Sequence, residues 1–377
     1  MKKTLLGASA LVGVASFAAA PALAAEAPEI SFSGALGYEA IWSDNDQEAA
    51  GTGFNITGNE QQSELVWSAT GTADNGLEYG ANVQWRWLGN GAGAGGFDES
   101  YMDFRGGFGR VYLGSEDGVS DLVAGTAGHT VQVGAWGTDG NNALRSFTVP
   151  GGMNTAVHYY QSHAGMTSDS NKIGYVTPSF GGFSAGISYS PEGNTGQAAG
   201  VNDGAAQKVT EIAAGYNGSF GDVSLTVDGS YGFGSDEANN ANAAAEIDNE
   251  DISAYMLGAM VGFAGFNVAA AYGNNDDSGC ASNVNNCDAG DFWNVGAGYS
   301  FGPASVSVMY QEGTDDVNGN GRDSESEIFH AGVSYTVAEG LSTYANYYNM
   351  DFSADGGLTA ANKNEADILI LGSRITF

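Results

Sequence analysis

Apolar and polar residues alternate one by one along many segments of this chain. Between residues 223 and 233, the odd positions are apolar or glycine and the even positions are polar or glycine. In a later segment, Phe329, Val333 and Tyr335 lie on one face and His330 lies on the other. A helix, with its period of 3.6, would mix these two sets, whereas a strand separates them. The pattern therefore predicts β-strands that each have one apolar and one polar face.

One uncharged stretch could instead be a membrane-spanning helix. Residues 254–273 contain no charged side chain, and a stretch of this length could cross a bilayer as a helix. However, Gly262 and Gly265 divide it into two strand-sized halves, 255–261 and 266–272. We therefore predict a hairpin with a short turn rather than a helix.

Short and long connections alternate between the predicted strands. The short turns are near residues 74–76, 106–109, 180–182, 218–222, 262–265, 301–303 and 338–340. The long polar loops are near residues 43–61, 89–97, 116–170, 191–207, 234–250, 274–289, 312–324 and 353–364. Alternating connections of this number imply sixteen strands, with both chain ends on the short-turn side. The sequence therefore predicts an all-β, antiparallel transmembrane β-barrel of a bacterial outer membrane, with short periplasmic turns and long external loops.

The first 24 residues have the features of a cleaved signal peptide. Lys2 and Lys3 precede an apolar segment, and Ala22-Leu23-Ala24 is a small-residue cleavage signature. We expect export from the cytoplasm and a mature barrel domain of residues 25–377. The mean hydropathy of −0.16 does not argue against a barrel, because half of every barrel strand is polar.

The mature chain is strongly acidic. Once Lys2 and Lys3 are set aside, nine basic residues face 44 acidic ones, a net charge of −35. Such a surface would repel nucleic acid. Acidity can also accompany disorder, but 18 Tyr, 18 Phe and 6 Trp are too many for a solvated tail. The charge predicts that any path for solutes through the molecule prefers cations.

The chain ends in another alternating segment. Leu369, Leu371, Ile375 and Phe377 share one face of it. A strand that ends on an aromatic residue resembles the signal by which barrel proteins are recognised for outer-membrane assembly.

Two stretches carry a family resemblance. They are Ser68-Ala-Thr-Gly-Thr-Ala-Asp-Asn-Gly-Leu-Glu-Tyr-Gly-Ala81 and Gly107-Phe-Gly-Arg-Val-Tyr-Leu-Gly-Ser115, and the second runs into a long loop. They resemble the Gram-negative porins of alphaproteobacteria, such as those of purple photosynthetic bacteria. The resemblance implies a homotrimer of sixteen-stranded barrels in the outer membrane. It also implies that the third long loop folds into the pore, where its acidic residues face a basic cluster on the wall.

Alternation places four arginines on the lumen side of their strands. Arg86, Arg105 and Arg110 come from three consecutive predicted strands, and Arg374 comes from the last one. An arginine on the lipid face would cost about 2–4 kcal/mol, which explains the direction of these side chains but not the adjacency of the first three. In line with the resemblance, we interpret them as the basic side of a pore constriction.

The longest loop, 116–170, would supply the acidic side. Its early part carries Glu116, Asp117, Asp121 and Asp139. Acids opposite arginines would create a transverse field that favours polar solutes over apolar ones.

An acidic loop matches a calcium-binding pattern. Asp316, Asn318, Asn320 and Glu327 occupy the oxygen-ligand positions of D-x-[DN]-x-[DN]-G-x5-E. The flanking segments read as strands, so this is not an EF-hand. Two interpretations stay open: a site for Ca²⁺, and an acidic, glycine-rich external loop that matches by composition.

The two cysteines lie in one predicted external loop. In an oxidising compartment, Cys280 and Cys287 should form a disulfide. A metal-binding or catalytic pair is less favoured, because no histidine lies nearby in sequence.

These features favour a non-enzymatic channel for the passive diffusion of ions and small hydrophilic solutes, with no required cofactor. An outer-membrane β-barrel hydrolase is the alternative, although the chain has no G-x-S-x-G motif and its four histidines, His129, His158, His163 and His330, show no matched spacing. A structural or adhesive barrel with a blocked lumen is a third interpretation. The expected partners are the other subunits of a homotrimer, outer-membrane lipid and lipopolysaccharide, and the solutes.

Overall fold

The alternating segments form one closed antiparallel sheet. The computed structural model describes residues 27–46, 53–58, 63–86, 96–124, 146–155, 157–158, 162, 165–193, 206–236, 249–354 and 362–377, and the predicted signal peptide lies outside them. The strands are β1 (Glu29–Asn45), β2 (Gly53–Gly58), β3 (Glu64–Thr72), β4 (Glu78–Arg86), β5 (Gly96–Gly106), β6 (Gly109–Ser115), β7 (Asn171–Val176), β8 (Phe183–Glu192), β9 (Gln207–Phe220), β10 (Val223–Ser235), β11 (Ile252–Phe263), β12 (Phe266–Asn274), β13 (Asp288–Phe301), β14 (Ala304–Asp316), β15 (Ser324–Ala338), β16 (Leu341–Ser353) and β17 (Lys363–Thr376).

Two of these segments belong to one strand of the barrel. Both β2 and β3 pair with β1, with Tyr38 opposite Gly58 and Ala35 opposite Glu64. β2 and β3 therefore occupy one position in the barrel, as two segments of a single interrupted strand. Each remaining strand pairs with its neighbours in sequence, and β17 pairs with β1 to close the sheet. The prediction of a sixteen-stranded antiparallel barrel is confirmed.

The uncharged stretch at 254–273 is a hairpin, as predicted. It is made by β11 and β12, and Phe263 lies opposite Phe266. The turn residues Ala264 and Gly265 both have positive φ angles, of 50° and 86°, which is typical of a tight two-residue hairpin turn. No helix within the described ranges is long and apolar enough to span a membrane.

Two predicted loops are shorter than expected. The predicted loop 43–61 contains β2, whose Phe54 and Ile56 alternate with polar residues and are exposed on the outer wall. The predicted loop 312–324 is shortened because β14 extends to Asp316. In both places, backbone pairing with a neighbouring strand extends a segment that is too polar to be recognised as a strand from its sequence.

The last strand has apolar residues on both faces. Leu369, Leu371 and Ile375 are exposed on the outer wall, as predicted. Ile368 and Ile370, on the lumen face, are fully buried. A lumen face is expected to be polar, so something inside the barrel must cover these side chains.

The long loop after β6 provides that cover, because it folds into the barrel as the resemblance implied. Its short helix α1 (Val119–Ala124) packs on β8, β9 and β10. Farther along, Phe147 and Met153 pack on an apolar cluster on the lumen faces of β1 and β15–β17. The buried strand residues of that cluster are Ile41, Ile328, Tyr344, Tyr348, Met350, Phe352, Ala366, Ile368 and Ile370.

Candidate functional site: the charged wall and the inward loop

A β-bulge turns two adjacent acids toward the lumen. On β5, Phe97 lies opposite Trp85 and Ser100 lies opposite Val83, so one extra residue is accommodated between them. As a result, Asp98 and Glu99 both contact lumen-facing residues of β4. Asp98 forms an ion pair with Arg86 at 2.8 Å, and Glu99 accepts a 2.5 Å hydrogen bond from Gln84. Simple alternation could not have placed both acids inside.

Arg105 and Arg110 lie directly opposite each other on β5 and β6. Asp103 binds both, at 2.5 Å from Arg105 and 3.2 Å from Arg110. Arg110 also pairs with Glu116 at 2.9 Å. The result is a connected row of alternating charge on one part of the wall.

Arg86 does not belong to the same cluster as these two arginines. Arg105 lies opposite Glu78 at one end of β4, and Arg86 is at the other end. Eight residues separate the two levels, roughly 26 Å at the rise of a strand. Arg374 on β17 interacts electrostatically with Glu64, as Arg86 does. The predicted adjacency of three arginines is therefore wrong, because antiparallel neighbours put them at opposite ends of the wall.

The acidic loop residues are placed differently from the expectation. Glu116 binds Arg110 on the same wall rather than facing it across the lumen. The Asp117 carbonyl accepts a 3.1 Å hydrogen bond from the Tyr112 hydroxyl. Asp121 is on α1, and Asp139 lies outside the described residues. The direct pairing arises because Glu116 follows β6 immediately, so it cannot reach the far wall.

Three carboxylates come close together beside this row. Glu99, Asp117 and Asp169 each place an oxygen within 4.8 Å of the others, a spacing that could hold a metal ion. Burial, followed by the nearby charge of Asp169, raises the pKa of Asp117 to about 6. The buried Lys172 ammonium acts in the opposite direction on Asp117. None of this group was identified from the sequence except Asp117.

The far side of the loop is held by a buried chain of hydrogen bonds. His158 joins Asp315 on β14 at 2.9 Å through Nε2, and Ser326 on β15 at 2.7 Å through Nδ1. The backbone N–H of Asn154 donates to the same Asp315 oxygen at 2.5 Å. The His158 and Asp315 side chains have no solvent exposure. The contact was not predicted, because it joins residues more than 150 positions apart.

The structure does not bring the calcium-pattern residues together. Both Asp316 oxygens accept backbone hydrogen bonds, from Asn320 at 3.1 Å and Gly321 at 2.7 Å. Glu327 accepts a 3.0 Å hydrogen bond from the Tyr310 hydroxyl. It lies on the outer wall, where Glu312 and Asp351 are its cross-strand neighbours. The side chain of Asp316 thus closes a turn, and Glu327 points away from it.

Cys280 and Cys287 form the predicted disulfide in the loop after β12. Replacing both by serine should lower the free energy of unfolding by about 2–3 kcal/mol, because an eight-residue loop is no longer closed in the unfolded chain. Urea denaturation measures this difference. Wild-type protein under reducing conditions should match the double variant, and equal stability of oxidised and reduced protein would contradict the expectation.

A polar cavity of about 700 Å³ opens inside the barrel along β1 and β3–β5. Arg105 lines it, with a side chain that is 53% exposed. The acidic residues that line it are Glu29, Asp74, Glu78 and Asp103. Its other polar side chains include Ser68, Thr70, Asn82 and Tyr101. This open, mostly acidic cavity is therefore lined in part by Asp103 and Arg105 of the charged row.

A closed barrel with an apolar outer wall, a charged lumen and an inward loop is an outer-membrane β-barrel of the pore-forming kind. The family model described as Gram-negative porin matches residues 7–355. The chain therefore belongs to the Gram-negative porin family and is a protein of the bacterial outer membrane. No protein of curated function matches the chain.

Solved structures share the fold at low sequence identity. An anion-selective porin from Comamonas acidovorans has a TM-score of 0.63 at 16% identity, covering 93% of this chain and all of that one. OmpT of Vibrio cholerae, an outer membrane protein in its trimer form, gives the same values. A mutant of the Rh. blastica porin has a TM-score of 0.58 at 18% identity, with the same coverage. At these identities the likeness concerns the fold alone.

Proposed function

We propose that this protein is a passive, non-enzymatic channel for ions and small hydrophilic solutes. The observation that carries the proposal is the polar cavity on the lumen side of a closed barrel. Water and polar solutes interact favourably with such a lining, whereas an apolar solute would have to displace water from the charged side chains without replacing its hydrogen bonds.

We also propose a preference for cations. Four carboxylates and one arginine line the cavity, so its charge has the same sign as that of the whole chain. A cavity of one sign concentrates ions of the other sign. The fold by itself does not set this preference, since the Comamonas structure is that of an anion-selective porin. The sign must come from the side chains.

Recording from planar lipid bilayers tests both proposals. With a salt gradient across the bilayer, we expect stepwise current increases and a reversal potential of the sign set by cations. An anion-biased reversal potential would refute the preference but keep the channel. Folded protein that gives no conductance would refute the channel itself.

A homotrimer in contact with outer-membrane lipid and lipopolysaccharide is part of the proposal. The trimer form of OmpT from Vibrio cholerae, which has the same fold, supports it. Current steps in groups of three would agree with a trimer, and single steps at low protein density would contradict it. Exposed apolar residues around the wall, such as Leu257, Val268 and Val306, suit contact with lipid.

The contact of Ser326, His158 and Asp315 bears on the alternative of a hydrolase. The three side chains are joined in the order of a serine hydrolase triad. Ser326, however, is 2% exposed, and His158, itself a residue of the inward loop, is fully buried, so no substrate reaches the hydroxyl in this arrangement. We therefore assign these residues to loop anchoring. Turnover of a p-nitrophenyl ester that is lost on Ser326→Ala would overturn the assignment.

Calcium binding at Asp316, Asn318, Asn320 and Glu327 stays a prediction. Binding would require Asp316 to exchange backbone donors for the ion, and Glu327 to leave the outer wall. Calorimetric titration of the folded protein with calcium chloride tests it. Heat that disappears in Asp316→Ala but persists in Asp323→Ala would support the site, and no heat in wild type would refute it.

A further inference from the structure

Both stems of the inward loop meet one buried lysine. Lys172 on β7 is 2% exposed, and its ammonium donates hydrogen bonds to backbone carbonyls. One acceptor, Glu116, begins the loop, while Ser168 and Ser170 end it. The distance to the Ser170 carbonyl is 2.8 Å. A single cation thus binds two stretches of chain about fifty residues apart.

A buried carboxylate on the neighbouring wall binds the same two stems through their donors. Glu211 on β9 is 1% exposed. It accepts hydrogen bonds of 3.0 Å from the backbone N–H groups of Ser120 and Thr167, and another from the Thr167 hydroxyl. A Cβ at Gly118 would lie 2.1 Å from a Glu211 oxygen, so a larger residue there would displace the carboxylate from this position.

We propose that Lys172 and Glu211 are positioning residues that fix the inward loop and thereby hold the open channel at one width. We call this pair the stem clamp. The lysine holds carbonyls and the glutamate holds N–H groups, so together they satisfy both kinds of backbone group in both stems. This inference rests on the proposed channel function.

The hydrogen bonds of the stem clamp go to the loop rather than to the barrel. Barrel strands are already joined by their backbone ladders, for example β6 to β7 and β8 to β9. Burying two charges inside the wall is costly and is recovered only through well-placed partners. Here those partners are loop atoms. Removing one charge should therefore loosen the stems of the loop while leaving the barrel folded.

Single-channel recording of Glu211→Ala and Lys172→Met tests the proposal. A charge-assisted hydrogen bond shifts an equilibrium by about tenfold or more. We therefore expect the fraction of time spent in altered conductance levels to rise at least about tenfold, with noisier open-channel current. The matched control is Glu192→Ala, which removes a buried lumen carboxylate bonded to Gln207 of the adjacent barrel strand. The control should give wild-type current.

Restoring the attachment by other means should restore quiet current. Glu211→Gln keeps one acceptor oxygen and should lie between Glu211→Ala and wild type. A disulfide from Val119→Cys and Gly186→Cys would tie α1 to β8. A Cβ at Gly186 would lie 3.1 Å from that of Val119. A separation of the two elements by about 0.5 Å would bring the pair into the range of a disulfide. Added to Glu211→Ala, it should bring the current noise back to the wild-type value.

The outcomes separate this inference from the channel proposal. Wild-type protein without conductance would defeat the channel, whereas a conducting wild type and equally quiet clamp variants would defeat only the stem clamp. If the alanine variant does not reach the folded state, the glutamine variant decides in its place. If the disulfide is added to the variant that is used and leaves its current noise unchanged, the proposal is also overturned.

Discussion

Replacing Asp315 by alanine should destabilise the protein by about 2–6 kcal/mol, because two buried donors lose their acceptor at a cost of about 1–3 kcal/mol each. The carboxylate accepts hydrogen bonds from His158 and from the backbone of Asn154, and its side chain has no solvent exposure. Without it, the imidazole and the backbone N–H would stay buried with no acceptor. The free energy of unfolding in urea measures the loss.

Ser326→Ala is the matched control for this prediction. It removes the hydroxyl whose Oγ lies 2.7 Å from Nδ1 of the same imidazole. The Asp315 carboxylate stays in place. A hydrogen bond of this kind contributes about 1 kcal/mol. If both variants lost the same stability, Asp315 would have no special part in anchoring the loop.

Replacing Arg105 by glutamine should raise the ratio of cation to anion permeability about two- to sixfold, the upper value without screening by salt and the lower value with it. One unit charge 8 Å from an ion in water is worth about 0.5 kcal/mol, with opposite sign for cations and anions. Arg105 is suited to act on passing ions because it lines the cavity and is 53% exposed. Reversal potentials in a salt gradient measure the ratio, and the effect should shrink at high salt.

Two other substitutions define how specific this effect is. Lys363→Gln removes the same charge from the outer rim, where the lysine lies 3.5 Å from Asp351, and should leave the ratio unchanged. Arg110→Gln should additionally destabilise the wall, because Arg110 is only 17% exposed and binds both Asp103 and Glu116. A shift with Lys363→Gln as large as with Arg105→Gln would contradict a local lumen effect.

Much of the barrel could be predicted because its information is local. A period of two fixes which side chains face lipid, and glycine-containing turns fix where strands end. For this reason the turns and the hairpin at 254–273 were predicted correctly. The segment Gly53–Gly58 was missed, although Phe54 and Ile56 alternate in it, because its other residues are small or polar.

The charged wall could be predicted only in part. Alternation gave the direction of Arg105 and Arg110, but their partner Asp103 was not recognised. The bulge that turns Asp98 and Glu99 inward depends on pairing between strands. The anchoring residues Lys172, Glu211 and Asp315 depend on the path of a loop of over fifty residues, and no sequence period encodes that path.

One feature of the sequence indicates that the lumen face of β17 is covered from inside the barrel. In the segment Asp367–Leu371, apolar residues occupy the lumen positions as well as the lipid positions. A strand with two apolar faces must be covered on both sides. Here lipid covers one side and Phe147 with its neighbours covers the other.

The contacts of the loop with the first and last strands constrain the order in which the barrel and the loop assemble. Asn45 of β1 donates to the Ser146 carbonyl at 2.9 Å, and Asn364 of β17 donates to the Thr148 carbonyl at 2.9 Å. These two strands are the first and last of the barrel in sequence, and they pair with each other, from Ala35 opposite Thr376 to Asn45 opposite Ala366, only when the barrel closes. The complete binding surface for this part of the loop therefore forms only when β1 and β17 have paired. The loop segment 146–153 can therefore take its final position only after the barrel has closed.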